Sequence, residues 1–145
     1  MTSGSERRGL PPREPSTWLV WLLAATFVGL GVLFVLAPGL GALVFGLPAP
    51  EGTSFGYLPA IGLRDLAFGI YLLILSLTAT RRIVGLIFGA TVLIPIGDMT
   101  IIAVERGLEA AGYLLLHGFS GATMLAASIW LLVRSKHDNM GGMPS

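Results

Sequence analysis

Four ionisable side chains stand where such groups are costly, because Arg64, Asp65, Asp98 and His117 all interrupt long apolar runs. Together they could do two kinds of chemistry. An arginine orients an oxygen or an anionic headgroup, and a carboxylate or imidazole holds and moves a proton, the ring being the group whose reference pKa lies near neutrality. Asp98, His117 and Asp65 are therefore the candidate catalytic residues. Arg64, with Tyr57, Phe68 and Tyr113, makes the candidate ligand-binding set. A cation site of Asp65, Asp98 and His117 is disfavoured, since Arg64 beside it would repel the ion, so no metal or other cofactor is expected.

These residues must be positioned by helices inside a bilayer. Of the 145 residues, 54% are hydrophobic and 12% charged, with a mean hydropathy of +0.81, against roughly 25% charged in a soluble domain. At about 20 residues per crossing, this length holds four spans with short links and no second domain. The absence of cysteine excludes disulfides, thiolate catalysis and zinc–thiolate sites. No basic stripe interleaved with aromatics points to nucleic acid, so the expected partners are the lipid bilayer and a small lipophilic ligand, with self-association left open.

Residues 1–16, rich in Ser, Gly, Pro and charge, are expected to be a disordered cytoplasmic tail. A membrane domain over 17–134 follows, with spans at about 18–37, 58–79, 83–104 and 110–133, and a second polar tail over 135–145. The Pro- and Gly-rich stretch after the first span contains Ala42-Leu43-Val44-Phe45, too apolar for an ordinary loop, and should form a short helix at the interface. Counting Lys and Arg gives three before the first span, two at Arg81-Arg82 and two after the fourth, against Arg106 alone on the other side with Glu51, Glu105 and Glu109. Basic segments stay in the cytoplasm, so both termini are placed there. The fold class is thus all-α, a four-span bundle with both ends inside. Its location is an integral one, in the cell membrane or in the endoplasmic reticulum membrane of a eukaryote.

This topology puts all four polar groups roughly 9–11 Å below the outer boundary, in one layer. The second span needs such partners, because its Arg and Asp cost roughly 2.5–3.5 kcal/mol each and its Leu, Ile and Phe residues only about offset them. Gly62, Asp65 and Gly69 share a stripe where backbones approach closely, and Tyr57, Arg64, Phe68 and Tyr71 share a neighbouring aromatic one. Adjacent positions diverge by about 100°, so the expected pairing is Arg64 with Asp98, leaving Asp65 nearer His117. Pro95 should kink the third span and free the carbonyl of Thr91. Tyr113, His117, Ser120, Gly121, Met124 and Ser128 line one face of the fourth span, and Thr26 and Gly29 make the first span a supporting wall.

Phe45-Gly46-Leu47-Pro48, Gly62-Leu63-Arg64-Asp65 with Gly69, Pro95 followed by Asp98, and His117-Gly118 resemble an uncharacterised family of small four-span microbial membrane proteins, over roughly residues 20–133. The resemblance implies a four-helix integral membrane fold and supplies no activity. Three functions compete. One is a binding or acid/base pocket for a lipophilic molecule, with isomerase- or cyclase-like chemistry. Another is an accessory subunit whose cluster only fixes helix packing. The third is proton-coupled transport, which is weakened by the lack of charged groups in the inner halves of the spans.

Overall fold

A computed structural model describes residues 9–141, and the regular elements among them are all helical. The parts of the expected tails at 1–8 and 142–145 lie outside the described residues. Helix α1 spans Pro15–Leu36 and opens on a proline, whose fixed φ suits a first turn and whose missing N–H is not needed there. It stops at Ala37, which sits outside the helical region (φ −138°, ψ 65°) because it precedes Pro38. Helix α2, Pro38–Phe45, is the expected short helix and ends on Gly46. A 3-10 turn over Gly52–Gly56 leads into α3, Tyr57–Thr78.

Helices α4 (Arg81–Thr91) and α5 (Leu93–Arg106) take the place of one expected third span. They part at Val92, three residues before Pro95, consistent with the expected proline break. Helix α6, Ala111–Gly141, follows a 3-10 turn over Gly107–Ala110 and continues past the end of the apolar run at Val133. Three helical stretches are long and apolar enough to cross a membrane: Pro15–Leu36, Gly52–Thr78 and the 57 residues Arg81–His137. The third folds back at Gly107 (φ +60°), so that α4 and α5 both pack along α6.

The helices join as two pairs. Along α1 and α3 the backbones nearly touch: a Cβ on Gly31 would come within 2.5 Å of the Leu66 nitrogen, and one on Gly69 within 2.8 Å of the Ala24 carbonyl oxygen. Asp65 lies between Gly62 and Gly69 on this buried face, as the stripe predicts. The expected wall residues of α1 are corrected: Thr26 bonds its own helix at Leu22 and is exposed, Gly29 faces open space, and Gly31 makes the contact. In the second pair Gly85 meets Leu131 and Leu132, and Ser128 Oγ donates to the Gly85 carbonyl at 2.7 Å. Val20, Phe27, Leu72, Val84, Phe88, Met124 and Leu131 then join both pairs in one core.

Residues before α1 are built into this core. Leu10 is buried, its N–H donates to the Ser76 carbonyl at 2.7 Å, and Gly9 N–H donates to that of Ala79 at 3.1 Å. Glu14 pairs with Arg81 of α4 and, at 3.6 Å, with Arg134 of α6. A carboxylate surrounded by the basic ends of two helices ties three elements together, and that needs no apolar periodicity. Glu14→Gln should therefore lower stability by about 1 kcal/mol, and Glu14→Arg by more, because it puts three guanidiniums together. Chemical denaturation in micelles checks this; equal midpoints for all three proteins would remove the network from the fold.

Candidate functional site

The four polar groups form two pairs, and not the ones their spacing suggested. Arg64 turns along α3 to its own neighbour, with Nε and Nη2 donating to the same Oδ1 of Asp65 at 3.1 and 3.0 Å. The expected Arg64–Asp98 pair is corrected accordingly. Cβ directions 100° apart do not limit a side chain with a four-atom stem, which bends round the helix to the nearest acceptor. The Arg64 side chain is 55% exposed and that of Asp65 is 11% exposed, so the carboxylate faces α1 and the guanidinium lies on the outside.

Asp98 instead meets His117, Oδ2 to Nδ1 at 3.4 Å, with the two side chains 18% and 14% exposed. The other ring nitrogen, Nε2, lies 3.1 Å from the Phe45 carbonyl oxygen. A carbonyl only accepts, so Nε2 carries a proton. At 3.4 Å the Nδ1–Asp98 approach is an ion-pair contact that becomes attractive when the ring is protonated. Among the described residues no hydrogen bond or ion pair joins Arg64 or Asp65 to Asp98 or His117, so these are two pairs rather than one cluster.

Residues 45 and 46 complete the arrangement, and residue spacing did not reveal them. Gly46 adopts φ +103° at the end of α2, and its carbonyl accepts from Arg106 Nη1 at 2.7 Å. The same guanidinium stacks over the Tyr113 ring, 5.5 Å from its centroid, and the Phe45 ring meets His117 edge-on at 5.2 Å. The available signal was Arg106, the one cation on its side of the charge count, together with a glycine after the Ala42–Phe45 run. Arg106, Tyr113 and His117 together hold the end of α2 from α5 and α6.

The expected ligand-binding set is dispersed. Tyr57 is 72% exposed on the same stripe as Arg64, Phe68 packs against Phe27 at 4.8 Å, and Tyr113 belongs to the Gly46 contact. An open apolar groove of about 570 Å³ runs beside α5 and α6, lined by Met99, Leu114, Gly118, Phe119 and Ala122 among others. None of the four ionisable groups lines it. Among the described residues no three of His, Asp and Glu converge as a metal site.

A family model described as a domain of unknown function, DUF4267, matches residues 24–131. No curated protein and no solved structure matches the chain.

Proposed function

Because the chain belongs to the DUF4267 family, which supplies no activity, we propose its role from geometry: a four-crossing membrane protein, both termini cytoplasmic, that serves as an accessory subunit. Folding of the Arg81–His137 stretch at Gly107 supports the fourth crossing. The contact of Glu14 with Arg81 and Arg134 supports one common side for the start of α1 and the end of α6. Basic residues collect at that end, which makes it the cytoplasmic one.

The observation that carries the accessory reading is that both nitrogens of His117 are taken by this chain's own groups, Asp98 on α5 and Phe45 at the end of α2. A ring occupied on both sides clasps three helices. A pair that fixes which helices meet is the best attested use of buried polar groups. Asp98→Leu should leave His117 without one partner and lower the unfolding midpoint in detergent by several degrees, a loss of about 1–3 kcal/mol. Asp98→Asn, whose amide can donate to a neutral ring, should keep most of that stability. The reading fails if Asp98→Leu and His117→Leu both unfold with the parent.

A second reading has one observation behind it: an imidazole and a carboxylate, the usual acid/base pair, meet at His117 and Asp98. On that basis Asp98 and His117 would act as acid and base on a lipophilic molecule, with Asp65 tuning them. A fold indifferent to both substitutions would favour this alternative.

A further inference from the structure

Arg64 has more hydrogen-bond donors than partners. Its guanidinium offers five N–H groups, and two of them, on Nε and Nη2, converge on one oxygen of Asp65. The Nη1 edge meets no acceptor among the described residues. With its side chain 55% exposed, this edge faces whatever surrounds the bundle. Tyr57 and Tyr71, seven residues before and after on the same stripe, are 72% and 59% exposed. Seven residues make about 10 Å, so Tyr57 stands at the outer start of α3 directly above Arg64. Side chains on a helix lean towards its N-terminus, which here is the outer end.

We infer that the Arg64–Tyr57 stripe of α3 binds the phosphate of a phospholipid headgroup drawn down from the outer leaflet. A guanidinium presents a planar fork that matches two phosphate oxygens, and membrane cations reach for the interface when their depth permits. Asp65 neutralises the cation from behind and holds its plane, leaving the Nη1 edge for the lipid. Tyr57, about 10 Å nearer the outer end on the same stripe, offers its hydroxyl as a second donor along the headgroup's path. A second copy of the chain fits this face poorly, because a two-fold contact would bring two guanidiniums together while each Asp65 stays buried against α1.

This inference rests on the bilayer reading of α3 and can fail separately from it. The full chain is reconstituted in vesicles of phosphatidylcholine with 20% phosphatidylglycerol, extracted gently, and its retained lipids are counted by native mass spectrometry. The parent should keep one phospholipid that Arg64→Lys, which keeps a charge beside Asp65 and loses the planar fork, releases severalfold more readily and Arg64→Gln at least tenfold; Tyr57→Phe should be intermediate with an unchanged thermal midpoint. Vesicles doped with a phosphate-free galactolipid should show no retention of that lipid, and inorganic phosphate at millimolar concentration should not compete. Equal retention by Arg64→Gln overturns the inference, as does competition by free phosphate. A dimer or a carboxylate-bearing partner lost with Arg64→Gln, while lipid stays, overturns it too. Release of the parent from membranes by alkaline carbonate would instead sink the bilayer reading itself.

Discussion

Gly62→Ile is expected to separate α1 from α3 and leave little folded protein. A Cβ at Gly62 would stand 2.7 Å from the Gly31 carbonyl oxygen and 2.8 Å from the Phe34 Cβ. The first of these is backbone within a helix and cannot step aside. Overpacking costs roughly 1–3 kcal/mol where side chains can shift, so a backbone obstacle should place this change at or above the upper limit. Membrane helices gain most of their association from such close packing, with little hydrophobic drive between them. Asp65 lies on the same face, so widening the seam would also wet the carboxylate that holds Arg64. Gly29→Ile provides the control within α1, since nothing lies within 4 Å of that position. Yield and unfolding midpoint in detergent should collapse for the first and hold for the second. Similar behaviour of the two proteins would contradict the packing described.

Gly46→Val is expected to detach the end of α2 and expose His117. Two separate costs combine there. A β-branched residue at φ +103° carries roughly 1–3 kcal/mol of backbone strain, and its Cβ would fall 2.5 Å from Cγ of the Tyr113 ring. The chain has to lift, which takes the Phe45 carbonyl from His117 and the Gly46 carbonyl from Arg106. Histidine modification by diethyl pyrocarbonate, read peptide by peptide, should rise severalfold at His117. Gly52→Ala separates the two costs, because Gly52 also has positive φ (+61°) but open space around it. It should lose about 1 kcal/mol and leave His117 protected. Unchanged protection of His117 in Gly46→Val would mean that α2 does not cover the ring.

The apolar helices were legible in outline because bilayer solvation acts on each residue independently, but not all their ends: α1 starts at Pro15, the third run divides into α4 and α5, and α6 continues to Gly141. Apolar runs of about 20 residues, the break at Pro38 to Gly56 and Pro95 within the third run mark spans and interruptions without reference to anything distant. The Gly62–Asp65–Gly69 stripe was equally readable, since a helix of known pitch places small residues on one face whatever they meet. That Leu10 is buried in the core and Glu14 is anchored beside it was not readable. A short polar segment gains order only from groups brought to it, here Ser76, Ala79, Arg81 and Arg134.

What the amino-acid order determined by itself is therefore an all-helical, membrane-suited chain with Arg64, Asp65, Asp98 and His117 inside its apolar segments. Only the packed structure decided who pairs with whom: Arg64 with its neighbour, Asp98 with His117, and His117 with a carbonyl 72 residues away. The reason is one of range. Hydropathy and backbone preference are local sums, whereas an ion pair depends on rotamers and on ångström-scale distances between helices that the chain's order leaves free.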